Sequence, residues 1–362
     1  MCVLVGAGLC SHDATGVTEW GSMYGQVPDQ IQQLLATAGS LQSQGQVAAA
    51  VGTLQQARQL ALTSGDPGLA AQVVATIASV HAAAGRGSDA MAAMSEAAQL
   101  FRQAGDQPGE VRAQVQMASL QAAAGQPDAA LGQLRDCQAT ARGLGDGQLV
   151  AEVSAAVGQL LLGTGNVAGA TDELRAGLAA ASGLRDPSAQ VQLRALLAVA
   201  VFKSGDVVQA NSLLEEDARV ARAVPDTVAA AMAMSVVCNA LALIQRPLDA
   251  LTVGQEILAG LTSAGAGQPQ IIEATVGLAN LYALAGRPAD AARCADQAVT
   301  AASQAGGPPA AVSALLELAM MAGQRDDRPA AAGFLSQARQ QLRFAGLPEP
   351  PALTQMLVQL GM

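Results

Sequence analysis

From about Val27 onward the apolar positions recur with a helical period, and the helical stretches come in pairs. In residues 66–105, Val73, Val74, Ile77 and Val80 form one apolar stripe, and Ala90, Met94, Ala97 and Phe101 form a second. Asp66 and Pro67 suit the cap and first turn of a helix, and Gly85 and Gly105 stand where helices must stop. The pattern predicts a helix A from about Gly68 to Ala84 and a helix B from about Ser88 to Gln103, joined by a tight turn.

The same pair repeats every forty residues. Ala50, Ala90, Ala130, Ala170, Ala210 and Ala250 mark helix B, with Ala291 one step late. Gly45, Gly85, Gly125, Gly165, Gly205 and Gly286 mark the A–B turn, with Gln245 in the one gap. Asp66, Asp106, Asp146, Asp186 and Asp226 mark the start of successive units. Interleaved series in one register predict a tandem array, in which each unit packs mainly on its neighbours. The expected organisation is a lead-in over residues 1–25, a repeat array over 26–347, and a capping helix over 348–362. The eighth unit is degraded, its turn lengthened to GQRDDRPAAA. In the closing helix Leu353, Met356, Leu357 and Leu360 should face inward, with Gln355 and Gln359 outward. Trp20 and Tyr24 fit either an N-terminal cap over the first unit or an exposed anchor for a partner.

In the middle of helix A a small residue recurs: Ala38, Ala78, Ala118, Gly158, Ala198, Cys238 and Ala279. With the A–B turn and the small-residue face of helix B, as in GLANLYALAGRPADA, this resembles the tetratricopeptide repeat. The forty-residue form is similar to the long-helix members found in kinesin light chains, Pins-type adaptors and bacterial regulators. The resemblance implies an all-α, right-handed α-solenoid of about eight hairpins whose helices A line a concave surface. It also implies that the residue after the small position points into that groove. Here the series is Gly39, Ser79, Ser119, Gln159, Val199, Asn239 and Asn280. Asparagine at this site holds the backbone of an extended peptide in long-helix relatives, and only Asn239 and Asn280 match. A second series, Gln32, Gln72, Arg112, Glu152, Gln192, Met232 and Glu273, should face the same way. Asn239, Asn280, Gln159, Gln192, Glu273 and Arg112 are therefore the candidate partner-binding residues, against the alternative of an ordinary solvated helix face. The basic cluster with which some relatives clamp a carboxylate is missing.

Composition narrows the function classes. Hydrophobic residues are 51% of the chain but aromatics only 2%, which suits thin helix–helix seams rather than one thick core. The net charge of −10 argues against nucleic-acid binding and weakly favours a basic partner. Five cysteines without a CxxC pair predict free thiols in the cytoplasm or another reducing compartment. Cys137 and Cys238 occupy small core positions, and His81 is expected to pack where Tyr282 stands in its own repeat. Cys10 and His12 lack the further ligands a metal site needs. Arg112, Arg194 and Lys203 are not expected to form an anion site, because Arg194 and Lys203, nine residues apart on one helix, lie on different faces.

No catalytic, cofactor or metal residues are predicted, and no membrane insertion. The expected role is a noncatalytic scaffold or adaptor that binds a protein or peptide through helix A. The alternative is a structural subunit held in a larger complex through the array edges or convex face. A regulatory subunit of a catalytic partner is a third reading.

Overall fold

The computed structural model describes residues 26–43, 46–184 and 187–360. Among them the chain is all-α, with sixteen helices and no strand. The first four hairpins are α1 (Gln26–Ser43) with α2 (Val47–Thr63), α3 (Pro67–Ala83) with α4 (Gly87–Ala104), α5 (Gln107–Ala123) with α6 (Pro127–Leu144), and α7 (Gly147–Gly163) with α8 (Val167–Ala181). Two more follow, α9 (Ser188–Lys203) with α10 (Val207–Arg222), and α11 (Thr227–Leu243) with α12 (Pro247–Ser263). Then come α13 (Gln268–Leu284), α14 (Pro288–Gln324), α15 (Arg328–Ala345) and α16 (Pro351–Leu360). α14 is helix B of the seventh repeat run into helix A of the eighth. Its backbone leaves the helical region at Gly306 and Gly307, just before Pro308 and Pro309. Proline lacks the N–H that would carry the first helix on, yet it suits the opening turn of the second.

The boundaries have local causes. Asp66 accepts a hydrogen bond from the Leu69 amide at 2.8 Å, Asp106 from Gly109 at 2.9 Å, Asp146 from Leu149 at 3.0 Å and Asp226 from Ala229 at 2.7 Å. Each satisfies an amide that the helix itself leaves unpaired. Asp186 lies outside the described residues, as do Gly45, Trp20, Tyr24, Cys2, Cys10, His12 and the whole 1–25 lead-in. At the A–B turns Gly85, Gly125, Gly165, Gly205 and Gly286 all take positive φ, where a side chain is costly. Gln245 adopts the same conformation, at φ 63°.

The described residues divide into two compact units, residues 26–42 with 46–110, and residues 111–360. In the smaller unit α3 packs on both α2 and α4. Val73, Val74, Ile77 and Val80 are buried there, as are Ala90, Met94, Ala97 and Phe101. In the larger unit α7, α9, α11 and α13 each pack on the helix B that follows and on the helix B before it. α7 also lies along α9, and α9 along α11, whereas α13 packs mainly on α12 and α14.

The small positions are buried throughout the series. Gly158 shows why: a Cβ there would lie 2.5 Å from the side chain of Leu174 on α8. In the sixth repeat the same registers hold Cys238 on α11 and Gly254 on α12, and a Cβ at Gly254 would lie 2.7 Å from the side chain of Leu281 on α13. Cys238 donates its thiol to the Ala250 carbonyl at 3.3 Å. At the C-terminal end Leu353 and Leu357 of α16 join a buried cluster with Val312, Leu315, Leu335 and Leu342. Met356 packs against that cluster and Gln355 is exposed. The side chains of Gln359 and Leu360 lie outside the description.

Candidate functional site on the faces of helices A

The larger unit holds all six residues expected to contact a partner, and it does not treat them alike. Arg112 on α5 and Glu152 on α7 occupy one register position in successive repeats. The arginine Nε donates to the glutamate Oε2 at 2.8 Å, and Gln148 donates to its other oxygen at 3.1 Å. Two side chains expected to face a partner thus bind each other, so the polar face of the third and fourth repeats is already partnered. Gln159 on α7 and Gln192 on α9 are half-buried.

Further along, Asn239 on α11 and Glu273 on α13 are exposed. Asn280 is half-buried, and its side-chain carbonyl accepts a hydrogen bond from Arg325, just beyond α14. The pair expected to grip a peptide backbone is therefore asymmetric. Asn239 presents its amide to solvent, whereas Asn280 is partly committed within the fold.

Polar chemistry in the third to fifth repeats turns inward. One seam position, on helix A against helix B, is Gln114 with Cys137, Ser154 with Gly177, and Arg194 with Asp217. Partners 23 residues apart touch in the first and last of these, with Cys137 3.5 Å from the Gln114 oxygen and Arg194 2.7 Å from Asp217. In the fourth repeat Gly177 leaves no side chain at the seam. Ser154 donates instead to Glu173 at 3.1 Å, and Gln138 also donates to Glu173. Arg135 completes the group, 2.6 Å from Glu173 and 2.8 Å from the Gln138 oxygen.

Asp217 is fully buried, and its Oδ2 has no hydrogen-bond partner. Burial pushes its carboxyl up to about 8, against the pull of Arg194. A cleft of about 380 Å³ beside Ser154 is lined mainly by small side chains such as Ala176 and Ala180, with Arg142 at its edge.

In the sixth to eighth repeats the exposed stripe of helices A is mostly apolar and amide. Met232, Asn239 and Leu243 are exposed on α11, Leu284 on α13 and Met320 on the second half of α14. Glu317, one turn before Met320, is half-buried. Burial, helped by the nearby charge of Glu273, pushes its carboxyl up to about 7. The sequence reading missed Glu317, Met320 and Arg325. The signal for Met320 was available, because one more step of forty from Asn280 reaches it. Arg325 sits in the irregular eighth turn, where register reasoning gives no guide.

The cysteines and histidine behave as small packed groups. Cys137, Cys238 and Cys294 are buried thiols outside any disulfide, and burial pushes Cys238 up to about 12. His81 is largely buried, as is Tyr282 at its register, whose hydroxyl accepts from Gln255 at 2.9 Å. Lys203 is exposed at the end of α9. Among the described residues no three His, Cys, Asp or Glu side chains gather as metal ligands. α14 alone among the described helices is long and apolar enough to cross a membrane. Its length comes from joining two helices across the kink at Gly306 and Gly307.

No model of a known protein family matches the chain, and no curated protein matches it in sequence. Solved structures do. Aspartyl phosphate phosphatase F from Bacillus subtilis aligns over 78% of this chain and 72% of its own, at 11% identity and a TM-score of 0.51. The Rap conjugation gene regulator of plasmid pLS20, solved with the Phr* peptide, covers 77% of this chain and 75% of its own, at 16% identity and a TM-score of 0.48. TPR-like repeats of a kinesin light chain from Podosopora anserina cover 55% of this chain and 98% of their own, at 16% identity and a TM-score of 0.42. The chain shares the all-α helical-repeat fold of aspartyl phosphate phosphatase F.

Proposed function

We propose that the chain is a noncatalytic interaction scaffold that binds a partner protein or peptide through helices A of its sixth to eighth repeats. The exposed stripe of Met232, Asn239, Leu243, Leu284 and Met320 carries this reading. Large apolar side chains gathered on one face mark a contact surface more often than a solvated one. An amide among them, Asn239, can donate and accept at once, which is what a peptide backbone asks of a neighbour. The earlier repeats offer less, because Arg112 and Glu152 are spent on each other.

A second reading has its own support. Val208 and Leu248 occupy one register in the fifth and sixth repeats, at 81% and 64% exposure, beside the A–B turns. An apolar edge of this kind suits a subunit held in a larger assembly.

Photo-crosslinking separates the two. A benzophenone side chain is placed at Asn239 or Met320, and in separate copies at Val208 or Leu248, and the full-length chain is irradiated in extract of its native host. A discrete adduct formed from Asn239 and Met320 supports binding through helices A. Adducts only from Val208 and Leu248 favour the edge, and none from any site overturns both.

A further inference from the structure

Helices A of the last three repeats are almost free of charge. α11 has no charged residue, α13 only Glu273, and the second half of α14 only Glu317. The two carboxylates lie close enough that Glu273 opposes ionisation of Glu317, adding to the effect of burial. Neither glutamate has an ion pair or hydrogen bond among the described residues, and no basic group acts on Glu317. The contrast with Glu152, held by Arg112 and Gln148, is direct. Arg325 is nearby in the fold but bound to Asn280. Asn280 is seven residues beyond Glu273, roughly 10 Å along the helix at 1.5 Å per residue.

These carboxylates sit within the apolar stripe rather than on a separate polar patch. Met320 lies one turn beyond Glu317 on α14, and Met232 stands on α11 at the register of Glu273, each about half exposed. Thioether side chains are flexible and polarisable, and they adapt to varied apolar partners. A long basic side chain has the complementary form: an aliphatic stem to lie on such a surface and a charged head for the carboxylates.

We infer that this face accepts an extended peptide bearing a lysine or arginine, with the basic head between Glu273 and Glu317 and apolar neighbours on Met232, Met320 and Leu284. The inference rests on the scaffold reading above and names the chemistry of its partner. Charge complementarity selects this occupant. A cation relieves the repulsion between the two glutamates, whereas an acidic or purely apolar peptide leaves it in place. The net charge of −10 also steers basic partners toward the chain.

The test uses random nonapeptides displayed on phage, selected against the full-length chain and against the Glu273→Gln/Glu317→Gln variant. Glutamine keeps the shape and removes the repulsion, so the variant should melt no lower than the parent. The expected result is enrichment of lysine and arginine amid apolar residues on the parent, lost on the variant. Peptides from the parent selection should bind the variant about tenfold more weakly, the scale of a charge-assisted contact. Replacing the peptide's basic residue with norleucine should cost a similar factor on the parent and little on the variant. Selected peptides without a basic preference, or with one indifferent to the glutamine pair, overturn the assignment and leave the scaffold reading standing. Selection of no peptide at all overturns both.

Discussion

The third to fifth repeats and the sixth to eighth share one period and one pattern of helices, yet they place their polar groups differently. In the earlier group the A–B seam holds Arg194 with the buried Asp217, and the Ser154, Gln138 and Glu173 network. At the same register the later group has Met234 with Ile257, Thr275 with Ala298, and Leu315 with Ala338, all buried. On the faces of helices A the order reverses: early, Arg112 and Glu152 neutralise each other, while late, Glu273 and Glu317 have no ion pair among the described residues. Polarity directed inward fixes how repeats fit each other; polarity left on an apolar face is available to a partner. Two stretches of one array can therefore have different roles without a change of fold.

The most direct way to break the comparison is at the seam of the fifth repeat. Arg194→Met alone leaves the buried Asp217 carboxyl without its hydrogen-bond donor, and this should cost about 1–3 kcal/mol. Arg194→Met with Asp217→Ile installs the Met–Ile pair of the sixth repeat. Replacing a buried ion pair by apolar groups of similar volume is often neutral or stabilising, so the double variant should regain all of that loss. Urea denaturation followed by helical circular dichroism reads both. A double variant as unstable as the single one would mean that the two seams are not interchangeable.

A break of similar size exchanges the close-packed pair. Gly158→Cys puts a Cβ where Leu174 stands, at a cost of about 1–3 kcal/mol from overpacking. Adding Leu174→Ala should offset part of that cost rather than add its own full cavity penalty of about 2–5 kcal/mol. Additive losses in urea midpoint would show that α7 and α8 do not meet at these residues.

Much of this architecture was legible in advance because its causes are local. Asp66, Asp146 and Asp226 cap helices with their own side chains, and the turn glycines answer a backbone requirement. The inward leucines of α16 followed from spacing on one helix. What escaped were interactions set by packing between helices. Arg112 and Glu152 were expected to face a partner as two polar residues. Their separation of forty residues, one full period with opposite charge, already implied that they meet. Arg194 and Asp217 are 23 residues apart, a relation that appears only once the A–B seam is known. Asn280 depends on Arg325, 45 residues later in an irregular turn, and no period connects them.

pH sharpens the contrast by a measurable slope. Asp217 ordinarily titrates at 3.8 and is pushed to about 8 in the fold. Its contribution to stability is therefore fully present below the unfolded value and lost as pH rises through about 8. Glu317, raised from 4.5 to about 7, acts in the same direction over a lower window. The melting temperature should fall between pH 5 and pH 8. The fall should be shallower in Arg194→Met with Asp217→Ile, and shallower again once Glu317→Gln is added. An identical slope in all three proteins would show that neither carboxyl carries the effect.

The smallest expected effect concerns the A–B turn of the sixth repeat, which, like that of the eighth at Asp326, holds a left-handed residue other than glycine. Gln245 holds φ at 63°, while Gly165 and Gly205 take φ of 83° and 98° in the same turn of the repeats before it. A side chain in the left-handed region costs about 1–2 kcal/mol, and glycine returns part of that gain through its greater freedom in the unfolded chain. Gln245→Gly should therefore stabilise the protein by about 0.5–1 kcal/mol, and Gly205→Gln should destabilise it by a similar or larger amount. Because Gln245 makes no side-chain hydrogen bond among the described residues, the backbone is the only account of the gain. If Gln245→Gly instead lowers the melting temperature, the glutamine supports the sixth repeat in a way its backbone angle does not explain.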